Sequence, residues 1–361
     1  MTDRIQTVTM PKWGMTMTEG KVAAWLKEPG ERIEPGEEFV EIETEKITNV
    51  VEAQVAGTLR RVLVQRGQSA PCGSVIAILA EADVPESEID AIAAAAPDMA
   101  VTEAAMEEAR IDAGGLMLNV VSAGTGDAAP LILLHGFASD AASWMFVQGP
   151  LAEARRVHAI DLPSHGGSDV DPAVVSADAL ADRLAVVIDT LAPGPLHLAG
   201  HSLGGRLAAR LAVSLRDRVL SVTLIAPAGM GHPVNEAFVA GFLAADKRRP
   251  MKETLQMLVA DESSVTPEMV ERALASKRMD GASEALAAIA AASLGTAEAI
   301  GSIDDVARVT VPVLMIWGAE DRVIAAPSSG AEIIAGAGHI PHMEAASTVV
   351  ERMIRHLESA E

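Results

Sequence analysis

Ser202 is the residue of this chain whose surroundings point most clearly to covalent chemistry. It lies in Gly200-His-Ser-Leu-Gly204, between an apolar run at 195–199 and a helix-favouring stretch at 206–212. The pentapeptide alone also occurs by chance, but this order predicts a strand, a sharp turn and a helix. In such a turn the serine hydroxyl projects from the end of a sheet, and glycines remove Cβ atoms that would collide. We therefore expect Ser202 to be a nucleophile.

Lys46 is a second candidate for covalent chemistry. It lies in the polar stretch Glu43-Thr-Glu-Lys46, where two strand-like apolar stretches meet. A lysine at such a turn should protrude from the domain. The alternative is an ordinary solvated surface lysine.

The elements that must position these residues fall into separate parts of the chain. Residues 4–82 consist of short apolar or alternating runs cut by turn residues, which predicts a small all-β domain at 1–82. Two similar turns, Glu28-Pro-Gly-Glu31 and Arg66-Gly-Gln-Ser69, suggest two related halves that meet as a flattened barrel. Residues 83–115 are acidic and alanine-rich, which predicts a semi-rigid linker with short helices at 87–96 and 102–110.

The remaining domain, 116–361, alternates strand-like and helix-like stretches, the pattern of a mostly parallel sheet covered on both faces. Each strand candidate is short and apolar and is followed by a polar turn, as a buried strand with a functional loop at its carboxyl end requires. From about 229 to 305 the pattern is helical throughout, and we interpret this stretch as a cap inserted over the site. The strand candidates are 131–134, 157–160, 196–199, 222–225 and 313–317.

The composition limits the possible partners. The formal net charge of −22 argues against binding to nucleic acid or to anionic membrane surfaces, both of which require Lys and Arg. Neither a signal-type apolar core nor an apolar run of membrane-spanning length is apparent. Cys72 is the single cysteine, which excludes an internal disulfide and is compatible with the cytoplasm. No metal ion is expected.

The first 80 residues resemble biotinyl/lipoyl carrier domains. The resemblance rests on Met10-Pro-Lys-Trp-Gly14, Gly20-Lys-Val-Ala-Ala-Trp25, Glu43-Thr-Glu-Lys46 and Gly57. It implies that Lys46 carries an amide-linked cofactor. Glu-Thr-Glu-Lys is similar to the lipoyl turn rather than to the Met-Lys-Met turn of biotinyl domains, so lipoic acid is the cofactor expected.

About 240 residues of the carboxy-terminal part resemble the α/β-hydrolase fold. In that family the chain order is nucleophile, acid, histidine, and the matching positions here are Ser202, Asp321 and His339. A serine hydroxyl needs an imidazole to take its proton, and the imidazole needs a carboxylate to fix its tautomer. The backbone N–H groups of Phe137 and Leu203 are the expected oxyanion donors. The resemblance rests on His135-Gly-Phe137, Asp161-Leu-Pro-Ser-His-Gly-Gly-Ser168, Gly200-His-Ser-Leu-Gly204, Gly318-Ala-Glu-Asp321 and Gly336-Ala-Gly-His-Ile-Pro-His342.

Other assignments stay open within this site. Glu320 adjoins Asp321, and His342 follows His339 closely. The segment from Asp321 to His339 is shorter than the helix and strand that the family usually places there, and 327–330 looks like a contracted loop. His135 and His201 are expected to hydrogen-bond loops, His158 and His197 to be core residues in strands, and His232 has no assigned role.

Together the two parts resemble the dihydrolipoyllysine acetyltransferase family of acetoin dehydrogenase complexes. The resemblance implies transfer of an acetyl group from a lipoyl arm on Lys46 to coenzyme A through the Ser202 site. It also implies a thiamine-diphosphate-dependent acetoin-cleaving component and a dihydrolipoyl dehydrogenase as partners, and a homo-oligomer is expected. Two alternatives remain: a thioester or ester hydrolase with a fused carrier, and a non-catalytic lipoyl carrier or scaffold.

Overall fold

The computed structural model describes residues 4–11, 19–44, 48–53, 56–95, 106–229, 233–294 and 303–361. The chain divides into two compact units, Met1–Glu103 and Ala104–Glu361.

The amino-terminal unit is a pair of four-stranded antiparallel sheets with strand orders β1-β8-β6-β3 and β5-β4-β2-β7. Alternating side chains meet between the sheets, where Val22, Ile42 and Leu59 are fully buried. The predicted flattened barrel is confirmed. Its strands are β1 (Ile5–Thr9), β2 (Glu19–Trp25), β3 (Arg32–Ile33), β4 (Glu38–Glu43), β5 (Thr48–Glu52), β6 (Gly57–Val62), β7 (Ser69–Pro71) and β8 (Val75–Ala80).

Helix α1 (Glu86–Ala95) follows the barrel and packs onto it. Ile89 is fully buried against Ile78 of β8, and Arg61 of β6 donates to the carboxylates of Glu86 and Asp90. The helix predicted at 87–96 is therefore present, but its contacts make it part of the carrier unit rather than a free spacer.

The carboxy-terminal unit contains a seven-stranded sheet. Six strands pair in parallel in the order β11-β10-β12-β13-β14-β15, and β9 pairs antiparallel with β10. All five predicted strand segments lie within these strands. The strands are β9 (Glu107–Asp112), β10 (Met117–Leu134), β11 (Arg155–Ile160), β12 (Leu196–His201), β13 (Val219–Ile225), β14 (Val313–Gly318) and β15 (Glu332–Ile334).

Strand β9 corrects the prediction of a linker through 115 with a helix at 102–110. Glu107–Asp112 pairs with β10, with Ile111 opposite Leu118, and Ile111 packs against the core of the unit. The helix propensity of Ala and Glu is outweighed here by ladder hydrogen bonds and by this buried contact. Residues 96–105 lie outside the described part of the chain.

Helices cover the sheet and form the cap. Between 229 and 305 the described residues contain helices and 3-10 turns and no strand, as predicted. No described helix combines the length and apolar character needed to span a membrane. The helices are α2 (Met145–Leu151), α3 (Ala177–Leu191), α4 (Leu203–Ser214), α5 (Glu236–Ala244), α6 (Arg248–Leu255), α7 (Pro267–Ser276), α8 (Ala282–Ser293), α9 (Ile303–Arg308), α10 (Pro341–Glu344) and α11 (Ala346–Ser359).

The sheet order brings the candidate site residues to one edge. Strands β10, β12 and β14 end at Leu134, His201 and Gly318, and only β13 separates β12 from β14. Because the carboxyl ends of parallel strands share an edge, the loops that follow these strands lie together. These loops carry Phe137, Ser202 and Asp321.

Candidate active site

Ser202 occupies a strained turn between β12 and α4. Its backbone has φ 52° and ψ −115°, and its side chain makes no capping hydrogen bond to the helix that follows. A positive φ is costly for a residue with a Cβ, and such strain is characteristic of functional sites. A Cβ at Gly200 would lie 2.1 Å from the Gly204 carbonyl oxygen, and one at Gly204 would lie 2.1 Å from that of Leu134. The glycines of the motif are therefore required by close backbone approach.

His339 and Asp321 form a buried hydrogen-bonded pair. His339 Nδ1 lies 2.8 Å from Asp321 Oδ2, and the two side chains are 2% and 1% exposed. The other carboxylate oxygen of Asp321 accepts the backbone N–H groups of Val323 (2.8 Å) and Ile324 (2.9 Å). These donors fix the carboxylate, which in turn fixes the imidazole with Nδ1–H toward Asp321 and Nε2 available as a base.

The short segment before His339 does not displace the acid. Residues 322–338, all of which the structure describes, contain the short strand β15 and no helix. The end of β14 instead meets the histidine loop directly, because a Cβ at Gly318 would lie 2.0 Å from the Gly338 carbonyl oxygen. The Glu320 N–H also donates to the Ala337 carbonyl at 3.0 Å. Direct backbone contact thus replaces the longer connection that the family resemblance implied.

The geometry also distinguishes the competing assignments. Glu320 is exposed, whereas Asp321 contacts His339. His342 is fully buried, and its ring lies 4.7 Å from that of Trp144 and 4.6 Å from that of His201. Neither ring nitrogen of His342 has a hydrogen-bond partner among the described residues, and burial lowers its pKa to about 3. His342 is therefore a neutral packing ring.

His201 links the serine turn to the histidine loop. Its Nε2–H donates to the His339 carbonyl oxygen at 2.9 Å, and the two rings lie 4.8 Å apart. Burial lowers the pKa of His201 well below its usual value. The rings of His201, His339 and His342 form a cluster. Burial keeps His201 and His342 neutral, and of these three rings it is His339 that is paired with a carboxylate.

The two expected oxyanion donors belong to residues close to the serine turn. Leu203 begins α4, and Phe137 lies in the loop after β10, where a Cβ at Gly136 would be 3.2 Å from the Ser202 Cβ. Within the described residues, neither the Phe137 N–H nor the Leu203 N–H donates to a protein acceptor. The next residue, Ala138, has φ 59°, so this loop is also strained. Two backbone donors beside a nucleophile are what a tetrahedral oxyanion requires.

The histidines expected to make loop hydrogen bonds or to lie in strands follow those expectations where they are described. His135 Nδ1 lies 2.8 Å from the Gly136 carbonyl oxygen, and its Nε2 accepts the Leu162 N–H at 2.9 Å. His158 and His197 are buried in strands, 2.8 Å from the hydroxyls of Ser122 and Ser221 respectively. His232 lies outside the described residues.

Contacts from the cap to the site loops were not anticipated. The Leu258 carbonyl accepts the His339 N–H at 2.7 Å, and Glu344 accepts N–H groups from both Ala260 (2.7 Å) and Gly338 (2.8 Å). Burial raises the pKa of Glu344. Arg272 of α7 binds both carboxylate oxygens of Asp140, which follows the oxyanion loop. No local sequence signal identifies these partners, because each contact joins residues far apart in the chain or on separate elements.

Lys46 lies outside the described residues, but the strands around it are described. Strands β4 and β5 form an antiparallel hairpin, with Glu43 opposite Thr48. Glu43 and Thr48 are both exposed. This hairpin fits the predicted attachment of a cofactor arm at Lys46.

Comparison with known proteins covers both units. The alpha/beta hydrolase family model matches residues 131–352, and the biotin-requiring enzyme model matches residues 6–79. Solved structures with a similar fold include a putative lipase from Acinetobacter baumannii (TM-score 0.62, 22% identity, covering 71% of this chain and 92% of that chain). The structure of the meta-cleavage product hydrolase CumD has the same TM-score and sequence identity, and the match covers 70% of this chain and 98% of that chain. At such identities these likenesses show the fold.

Two curated relatives match along nearly the whole chain. Both are dihydrolipoyllysine-residue acetyltransferase components of acetoin cleaving systems. The Pseudomonas putida protein is 37% identical over 98% of this chain and 99% of its own length, and the Cupriavidus necator protein is 37% identical over 97% and 96%. A 2-hydroxymuconate semialdehyde hydrolase from a Pseudomonas strain is 30% identical over 59% of this chain and 77% of its own length. The chain therefore belongs to the α/β hydrolase family and, within it, to the dihydrolipoyllysine-residue acetyltransferase components of acetoin cleaving systems.

Proposed function

We propose that Ser202, His339 and Asp321 carry the acetyl transfer of this family, with Lys46 holding the lipoyl arm and coenzyme A as acceptor. The observation that carries the proposal is the buried 2.8 Å contact between His339 and Asp321 at the sheet edge where Ser202 forms a strained turn. A serine, an imidazole and a carboxylate in these roles constitute an acyl-transfer site.

The lipoyl arm, when attached, supplies the acetyl group as a thioester. Ser202 Oγ attacks the acetyl carbonyl carbon while His339 Nε2 takes the hydroxyl proton, and Asp321 stabilises the imidazolium. The N–H groups of Phe137 and Leu203 donate to the carbonyl oxygen as it becomes negative, and one such donor is worth about 3 kcal/mol. His339 then returns the proton to the departing thiol as the carbon–sulfur bond breaks, which leaves an acetyl ester on Ser202.

The second half of the reaction reverses these roles. His339 takes the proton of the coenzyme A thiol, and the sulfur attacks the acetyl carbon of the ester. The carbon–oxygen bond to Ser202 breaks, and His339 returns the proton to Oγ. Atoms and charges balance over the two halves, and the free serine is regenerated.

Hydrolysis of the same acetyl ester is the second candidate function. It is favoured by the 30% identity of this chain to a 2-hydroxymuconate semialdehyde hydrolase, since water would serve in place of the thiol. The third alternative, a non-catalytic scaffold, supposed that the short segment before His339 had broken the triad. The contact between His339 and Asp321 counts against it.

The partners proposed are a thiamine-diphosphate-dependent acetoin-cleaving component, which would load the arm, and a dihydrolipoyl dehydrogenase, which would reoxidise it. We also propose a homo-oligomer in the cytoplasm. A single cysteine and a reaction between thiols suit a reducing compartment.

Turnover of acetyl-dihydrolipoamide with and without coenzyme A tests the function. The proposal predicts acetyl-coenzyme A as the main product at saturating coenzyme A, and no such product from Ser202→Ala. Mainly acetate under the same conditions would support the hydrolase. Intact mass after co-expression with a lipoate ligase should show one adduct that is absent in Lys46→Arg, and an unmodified wild-type chain would contradict the carrier assignment.

A further inference from the structure

An aromatic ring of the cap packs against the oxyanion loop. Phe242 of α5 meets Phe137 edge to face, with ring centroids 5.8 Å apart and an interplanar angle of 69°. The two residues are 1% and 7% exposed. Gly136, the residue before Phe137, abuts Ser202, since its Cβ would lie 3.2 Å from the Ser202 Cβ. Phe242 of the cap thus packs against the loop that lies next to the nucleophile.

The Phe137 ring also packs against the ring of His165. His165 meets it nearly perpendicularly, with centroids 6.1 Å apart, and His165 is itself buried. Rotation of the Phe137 ring would therefore displace a second buried ring. The oxyanion loop has little freedom to make room for a larger group.

Lys277 holds Phe242 at the carboxyl end of α5. Lys277 Nζ donates to the carbonyls of Phe242 (2.9 Å), Leu243 (2.8 Å) and Ala245 (2.6 Å), and it lies 5.7 Å from the Phe242 ring centroid. A cation at a helix carboxyl end binds the unpaired carbonyls and the helix dipole, and a cation over a ring adds to this. The Phe242 ring is therefore held from its backbone and from its face.

The helix that carries Phe242 also lies close to its neighbour. A Cβ at Gly241 would be 2.7 Å from Thr254 Oγ1 of α6. This close approach leaves α5 no room to move toward α6.

Building on the function proposed above, we propose that Phe242 is a specificity-determining residue that limits the acyl group on Ser202 to acetyl. In this proposal the Phe137 and Leu203 N–H groups hold the carbonyl of an acyl-Ser202 ester, and the remainder of a longer acyl chain would meet the space that Phe137 and Phe242 fill. A packed pocket discriminates against one extra methylene by roughly 10- to 200-fold. Phe242 would thereby restrict the site to the two-carbon acyl group on which this family acts.

The test measures kcat/KM for acetyl-, propionyl- and butyryl-dihydrolipoamide with saturating coenzyme A, using the full-length chain. The wild type should prefer acetyl over butyryl by at least about 100-fold, since two methylenes are excluded. Phe242→Ala removes the ring and should reduce this preference by about 10-fold or more, mainly by raising the butyryl value. Phe242→Leu, a smaller change that serves if the alanine variant fails to fold, should reduce it less.

Phe238→Ala is the matched control. Phe238 lies one turn earlier on α5 and is also buried, so its loss loosens the same helix. This variant should lose stability and keep the wild-type acyl preference. A preference that is unchanged in both Phe242 variants, or reduced equally by Phe238→Ala, would overturn the specificity role while leaving the transferase intact. A lipoylated wild type that turns over none of the three thioesters would instead contradict the proposed function and this inference together.

Discussion

His201, the residue before the nucleophile, donates its Nε2–H to the carbonyl oxygen of His339, 2.9 Å away. The serine turn and the histidine loop are thereby joined through one side chain, although 138 positions separate the two residues in the chain. This bond holds the backbone of the base at a fixed distance from the turn that carries Ser202.

His201→Phe replaces the imidazole with an aromatic ring that cannot donate this hydrogen bond. We expect kcat for acetyl transfer to fall about 3- to 10-fold, because one buried hydrogen bond contributes about 1 kcal/mol. KM should change little, since His201 is expected to touch neither substrate. His158→Phe, which removes a buried histidine from a strand remote in sequence from the turn, should change stability and not kcat. Equal losses of kcat in the two variants would contradict a positioning role for His201.

Asp321→Asn should lower kcat by about 10⁴-fold, because an amide at this position favours the wrong imidazole tautomer. Glu320→Gln provides the control, since the neighbouring side chain is exposed. It should retain nearly full activity. A silent Asp321→Asn combined with a crippled Glu320→Gln would show that the acid is misassigned.

His342→Phe should preserve activity and make stability less dependent on pH. Burial lowers the pKa of His342 to about 3, below the value near 6.5 of an unfolded histidine. Between pH 3 and pH 6.5 the unfolded chain binds a proton on His342 that the folded chain does not bind. The free energy of unfolding therefore has its full value above pH 6.5 and decreases as the pH falls below it. One such group contributes a slope of about 1.4 kcal/mol per pH unit.

The measurement for His342 is urea unfolding at a series of pH values from 6 to 5. In the phenylalanine variant the free energy of unfolding should change less steeply with pH, by the amount that corresponds to one bound proton. The variant should transfer acetyl at nearly the wild-type rate. His165→Phe offers a comparison, since burial lowers the pKa of His165 to about 3 as well. An inactive His342→Phe with normal stability would mean that the base has been assigned to the wrong histidine.

Replacing the cap, 229–305, with a short linker should raise the ratio of acetate to acetyl-coenzyme A. Water is present at about 55 M and the thiol at about 1 mM, so a barrier difference of about 6 kcal/mol is needed merely to make the two fates equal. Exclusion of water and alignment of the thiol by the cap would supply part of it. The total rate should fall too, because Leu258 holds the His339 N–H. Arg248→Gln, on the cap surface, should leave the ratio unchanged, and an unaltered ratio without the cap would remove its proposed role.

Local patterns were sufficient to predict the barrel and the parallel sheet, whereas Asp321 and His339 were assigned by the family resemblance, and the structure places their side chains in contact. Apolar runs such as β12 are buried along their whole length, so their pattern reports their environment directly. The nearness of Asp321 to His339 could not be judged from segment length, because direct contact between Gly318 and Gly338 takes the place of the missing helix.

Other features depend on tertiary partners that a local pattern does not contain. Glu107–Asp112 has helix-favouring residues, yet it forms a strand because β10 offers it a free edge. The ties from Leu258 and Arg272 to the site loops likewise join distant segments. The position of Ser202 in its turn follows from a motif, whereas the contact of the cap with His339 follows only from the folded arrangement.

Single-turnover trapping of an acetyl ester on Ser202 tests the central claim most directly. Lipoylated chain, acetylated on its arm, is quenched with acid in the absence of coenzyme A, and the peptide that contains Ser202 is analysed by mass spectrometry. We predict an acetyl adduct on that peptide which disappears when coenzyme A is added and forms at least about 10³-fold more slowly in His339→Ala. Acetyl-coenzyme A formation by Ser202→Ala at the wild-type rate, with no adduct in either protein, would contradict the account.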